Sequence, residues 1–226
     1  MAEPRGVLLP AYVLADESGS MAPHRSDLAG GLVSLCEGLR AEPMISAKLR
    51  LTVLGFSDDV QVRLPMADMR SATTLPEVVI RGLTDYQAVF DDLLKRIPYD
   101  VQRLRGEGYK VHRPVVFFLS DGQPTDGGSW HGPHSTLTDK GRTPTAPNIV
   151  ACGIGDAEAS TMVEVATRKE FAFVAKSGTD VGRAVAEFFH ALTASLVATG
   201  QALNSGDPQL VVNRPDQFTL AIDEVG

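Results

Sequence analysis

Short, nearly continuous apolar runs alternate along this chain with longer stretches whose apolar residues recur every three or four positions. No other feature of the sequence limits the fold as strongly. Residues 10–15, 115–119, 148–152 and 171–174 have the length and apolarity of strands buried on both faces. Leu28, Leu32, Leu35, Cys36 and Leu39 form one helical stripe, residues 86–104 a second and residues 181–196 a third. Such alternation predicts an α/β fold with a mostly parallel sheet and helices on both faces. Residues 48–56 and 60–64 alternate in polarity across the short turn Ser57-Asp58-Asp59, so they should form a hairpin that places one antiparallel strand at the sheet edge.

Finer expectations follow from single residues. Ser26 or Asp27 should cap the first helix. Pro98 should kink or split the second, and Gly106 and Gly108 should stop it. Residues 127–147 are rich in Gly, Ser, Thr and Pro and read as a loop. A helix is expected at 160–169, whereas residues 66–83 carry no clear pattern. Residues 1–203 read as one domain and 204–226 as a C-terminal extension with two short extended pieces, 210–212 and 218–222.

With 226 residues the chain is long enough to bury a sizeable core. Its net charge of −7 argues against nucleic acid or an anionic membrane as partner, because both need an excess of Lys and Arg. Cys36 and Cys152 belong to no paired framework and read as two buried, reduced thiols in a cytoplasmic protein, with a single disulfide between them left open. The apolar run at 7–15 follows Arg5 but contains Pro10 and ends in an acidic motif, so it reads as a strand rather than an export signal. No segment reads as long enough to span a bilayer.

In an open α/β sheet, ligands bind beyond the carboxyl ends of the strands. Asp16-Glu17-Ser18-Gly19-Ser20 follows the first strand, Ser120-Asp121-Gly122 follows the strand at 115–119, and Gly82-Leu83-Thr84-Asp85 precedes the second helix. Asp16 and Asp121 offer carboxylates; Ser18, Ser20 and Thr84 offer hydroxyls. Without His or Cys, this set disfavours zinc or copper and suits a hard octahedral ion such as Mg²⁺. Two carboxylates only neutralise a divalent ion, which leaves it electrophilic towards a further carboxylate.

These residues resemble the metal-ion-dependent adhesion site of von Willebrand factor A (VWA) domains. Asp16 to Met21 (D-E-S-G-S-M) matches its D-x-S-x-S element, and G-L-T-D around Thr84 and L-S-D-G around Asp121 are similar to its second and third elements. The likeness covers roughly residues 8–200. It implies a Rossmann-like three-layer fold, with Asp16, Ser18, Ser20, Thr84 and Asp121 holding Mg²⁺ (Mn²⁺ or Ca²⁺ as alternatives) and capturing an Asp or Glu of a protein partner. The segments G-L-T-D-Y-Q-A-V-F and L-S-D-G-Q-P-T-D further resemble bacterial TerY-like VWA proteins of tellurite-resistance and stress-response clusters, which implies kinase or phosphatase partners. The chain departs from that pattern at Leu83, where Gly is usual, and at 127–147, where a helix would be expected.

Trp130 and Asp85 are candidate partner contacts. Trp130, on its loop, reads as a partner anchor or as a lid that packs down. Asp85 reads first as the residue that starts the following helix. Glu17 is expected to point into solvent. His131 and His134 make only a weak metal pair, and Gly153-Ile154-Gly155 lacks the third glycine of a dinucleotide loop because residue 158 is Glu. Competing with a non-enzymatic interaction module are a metal-dependent phosphoryl-transfer or hydrolytic enzyme with Asp16 as nucleophile, and a metal-free scaffold whose Asp and Ser residues only cap loops.

Overall fold

Each buried run becomes a strand and each stripe a helix. A computed structural model describes residues 4–204 and 209–225. In chain order the elements are β1 (Val7–Asp16), α1 (Arg25–Arg40), α2 (Pro43–Ser46), β2 (Leu49–Phe56), β3 (Val60–Ala67), α3 (Tyr86–Gly106), β4 (Lys110–Val111), β5 (Val115–Ser120), α4 (His131–Thr138), β6 (Asn148–Gly153), α5 (Ala159–Val165), β7 (Ala172–Ala175), α6 (Val181–Asn204), β8 (Phe218–Leu220) and α7 (Ala221–Glu224). Among the described residues the strands make an eight-stranded sheet in the order β3-β2-β1-β5-β6-β7-β8, with β4 alongside β1. β1, β2, β5, β6 and β7 run parallel, and β3 closes one edge antiparallel to β2.

Alternate residues of β5 supply the two cores. Phe118 stacks with Phe56 at 5.2 Å and meets Tyr86 and Phe90 of α3 on one face. Phe117, with Cys152 and Phe173, meets Phe188 and Leu192 of α6 on the other. Each such side chain contributes about 1.5–3 kcal/mol when fully buried. α1 packs on α6, so closely that a β-carbon at Gly31 would overlap the Phe189 ring.

Several local expectations are corrected by tertiary packing. A 3-10 turn (Gly19–His24) runs directly into α1, which starts at Arg25 with no side-chain cap, so neither Ser26 nor Asp27 caps it. Pro98 does not split α3, which continues to Gly106. The stretch 127–147 is not simply a loop, because it holds α4, with Pro133 in the tolerated first turn and Leu137 buried. By length and composition α6 passes as a bilayer-crossing segment, contrary to the sequence expectation. Here it is a core helix whose Val185, Phe188, Phe189, Leu192 and Leu196 are buried. Cys36 and Cys152 are buried and unpaired.

The tail packs along α6. The Val211 amide donates to the Thr199 hydroxyl (3.0 Å) and the Asn213 amide to the Ser195 hydroxyl (2.9 Å). β8 then adds to β7 as a second, short antiparallel edge. The boundary expected at 203/204 adjoins residues 205–208, which lie outside the described residues.

Candidate metal centre

β1 has β2 on one side and β5 on the other, so the strand order reverses between β1 and β5. Loops at such a switch point diverge and leave a crevice beyond the strand ends. Asp16 ends β1 and Ser120 ends β5; Ala15 pairs with Leu119, which brings the next residues, Asp16 and Ser120, side by side. Asp16 is wholly buried. Its Oδ1 accepts the Ser18 amide (2.9 Å) and its Oδ2 the Ser120 hydroxyl (2.6 Å). The Ser18 and Ser20 hydroxyls are 3.0 Å apart, and Ser20 donates to Asp121 Oδ1 at 2.8 Å. Asp16, Ser18, Ser20 and Asp121 are thus joined in one run of hydrogen bonds, through the Ser18 amide and then the two serine hydroxyls.

Thr84 is delivered to the same edge by its backbone. Its carbonyl accepts the Thr125 amide (2.9 Å) and hydroxyl (3.0 Å), tying its loop to the one after Asp121. Its hydroxyl stands 3.9 Å from where a β-carbon on Gly122 would lie. On the preceding side the Gly19 amide bonds Gly82, Asp58 accepts the Leu83 amide, and the Ser57 hydroxyl donates to the Leu83 carbonyl. The Leu83 side chain itself is exposed, so the departure from Gly at this position leaves the loop's bonds intact.

Burial sets the electrostatics. It pushes the Asp16 carboxyl up to about 6, against the hydrogen bonds from Ser120 and Ser18, and the Asp121 charge adds to the rise. Asp121 is also raised, chiefly by burial, against the bond from Ser20. Neither carboxylate has an ion pair with Lys or Arg among the described residues. Two buried, unpaired carboxylates beside three hydroxyls fit a hard divalent cation, which would offset the cost of their burial. No group of three or more His, Cys, Asp or Glu suited to a metal occurs among the described residues, so an ion here would need hydroxyl, carbonyl or water oxygens beside the two carboxylates.

Other candidate residues do different work. Glu17 does not point into solvent. It is wholly buried, takes Arg63 in a bidentate pair (2.9 and 2.6 Å) and lies 3.5 Å from Arg81. Its carboxylate fills the space beside Gly55, where any side chain would overlap it, and accepts the Val79 amide at 3.2 Å. Trp130 is buried, not displayed to a partner: it packs on Phe90 (5.6 Å), Tyr86 (5.9 Å) and His134 (5.4 Å) because α4 folds over α3. Asp85 caps α3 by accepting the Ala88 amide at 2.9 Å, which commits that oxygen to the helix rather than to a partner. His131 bonds the Gly128 carbonyl and Glu164, and His134 the Val165 carbonyl, so the two rings do not form a pair. Asp126 accepts the Gln87 and Gly128 amides. Sequence reasoning named Ser120 and the Ser57-Asp58 turn but gave them no part in the site, although Ser120 and Ser57 each directly follow an apolar run.

No protein-family model matches the chain, and no curated protein does. Solved structures do match its fold. The pilus adhesin SpaC from Lactobacillus rhamnosus GG in its open conformation aligns with 86% of this chain at TM-score 0.66 and 13% identity. A von Willebrand factor type A structure from Catenulispora acidiphila covers 84% at TM-score 0.53 and 13% identity. The chain has the VWA fold. Proximal thread matrix protein 1 from the mussel byssus covers 86% at TM-score 0.58 and 15% identity, in a structure with zinc in its MIDAS motif. The chain spans only 30%, 42% and 49% of those three structures, respectively.

Proposed function

We propose that this VWA domain is a cytoplasmic, non-enzymatic interaction module that holds Mg²⁺ on Asp16, Ser18, Ser20, Thr84 and Asp121 and captures an Asp or Glu of a partner protein. The observation that carries the reading is the run of hydrogen bonds from Asp16 through Ser18 and Ser20 to Asp121 at the β1/β5 switch point. When bound, the ion supplies an electrophilic position for one further anionic oxygen. The protein's part is to hold the ligands. Ser120 orients Asp16, Thr125 fixes the Thr84 loop, and Glu17 fastens the segment before it. The hydrogen bonds of Ser18 and Ser20 run to each other and to carboxylates, and none runs to a histidine among the described residues. That supports binding rather than nucleophilic attack by a serine.

The zinc in the mussel protein's MIDAS motif supports a divalent ion at this place in the fold. The TerY-like segments around Thr84 and Asp121 support a stress-response or tellurite-resistance setting with kinase or phosphatase partners. Calorimetric titration of the EDTA-treated domain with Mg²⁺ tests the reading. One site is expected, abolished in Asp16→Ala and in Asp121→Ala, with a gain of roughly 2.7 kcal/mol in stability at ~100 Kd of ion. Undiminished binding in both variants would overturn it.

A further inference from the structure

Acidic residues mark the carboxyl ends of several strands and basic residues the amino ends. At the carboxyl ends of the strands lie Asp16, Asp58, Asp121 and Asp126. At the amino ends Lys48 precedes β2, Lys110 begins β4, Arg113 precedes β5 and Arg168 precedes β7. This basic end belongs to a chain of net charge −7. It contains a cavity of about 450 Å³ whose lining among the described residues includes Arg113, Lys140 and Arg168 but no Asp or Glu.

Two of the cations are held in place. Arg113 Nη1 donates to the Ala146 carbonyl at 2.6 Å, which fixes the guanidinium and leaves its remaining donors free of any other bond among the described residues. The Arg168 guanidinium lies 5.3 Å over the Phe171 ring and makes an exposed ion pair with its neighbour Glu170 at 3.7 Å. Lys140 has no ion pair among the described residues. Asn148, the first residue of β6, and Gln209 of the tail add amides, and Phe171 adds an apolar wall. Arg113 and Lys140 have no ion pair among the described residues, and Arg168 has only the exposed one with Glu170, so an entering anion meets three cations against one competing carboxylate. Guanidinium forks match phosphoryl oxygens in bidentate geometry, and the volume lies within the ~300–1,000 Å³ typical of small-molecule sites.

We propose that this cavity binds a small phosphorylated molecule, its phosphoryl group against Arg113, Lys140 and Arg168 and its organic part against Phe171. The site lies at the opposite end of the sheet from the metal centre and does not depend on it.

Calorimetry with inorganic pyrophosphate, on the whole chain in metal-free buffer of low ionic strength, tests the proposal. Pyrophosphate should bind, and Lys140→Gln and Arg168→Gln, both at exposed positions, should each weaken it roughly tenfold. Asp16→Asn should bind it unchanged, since the metal centre takes no part. Equal affinity of wild type, Lys140→Gln and Arg168→Gln would overturn the proposal. So would citrate binding as tightly as pyrophosphate, which would assign the cavity to carboxylates.

Discussion

Replacing Asp16 by Asn should make the metal-free domain more stable while destroying its metal site. Asp16 is fully buried, and that burial lifts its carboxyl from 3.8 in the free residue to about 6 in the fold. Between those values the folded chain keeps a proton that the unfolded chain has lost. Stability therefore falls as pH rises from about 4 to about 6, and above that range the loss is complete and constant. A difference of about two pK units corresponds to ~3 kcal/mol. Asn has no charge to desolvate. It keeps an acceptor for the Ser18 amide, and its amide group can donate to a reoriented Ser120 hydroxyl. In EDTA at about pH 7.5, Asp16→Asn is thus expected to exceed wild type by up to ~3 kcal/mol, or roughly 6–12 °C in midpoint for a domain of this size. The gap should close as the pH approaches 4. Urea denaturation followed by circular dichroism across this range measures it directly. Added Mg²⁺ should then stabilise wild type and leave Asp16→Asn unmoved. A variant less stable than wild type in EDTA would refute the reasoning. It would mean that the charged Asp16 serves the fold itself, as the cap of a metal-free loop.

Two further substitutions test how the site and the helices are held. Glu17→Gln leaves the poorly exposed Arg63 guanidinium without its counter-charge, so urea denaturation should show a loss of about 3–5 kcal/mol. Mg²⁺ affinity should fall with it, because the segment leading to Thr84 is fastened to Glu17; unchanged stability would contradict the buried pair. Gly31→Ala and Gly30→Ala should have opposite signs although they are neighbours in α1. At Gly31 the new methyl meets the buried Phe189 ring, and overpacking of about 1–3 kcal/mol outweighs the helical preference of Ala. At Gly30 nothing lies within 4 Å, so thermal unfolding should show a gain of roughly 0.5–1 kcal/mol.

The sequence by itself determined the layers of this fold. A strand buried on both faces can be written only as a short apolar run, and a helix against a sheet only as a stripe of period near 3.6. Residues 115–119 and the stripe at 86–104 therefore announced β5 and α3. The hairpin was equally legible, because its turn is local. The candidate ligands could be found because each follows or precedes such an element, and a parallel sheet brings those loops to one edge. What the sequence could not show was decided by contacts between distant residues. Trp130 looked displayable in a stretch rich in Gly, Ser and Pro, yet packing on Phe90 and Tyr86 goes with a helix there and buries the ring. Glu17 looked solvated because its partners, Arg63 and Arg81, stand 46 and 64 positions along the chain. Ser120 became the partner of Asp16 only through the β1/β5 register. Periodicity records which face of an element is buried, whereas the mate of a buried polar group is chosen by the approach of separate elements, and only the tertiary structure fixes that approach.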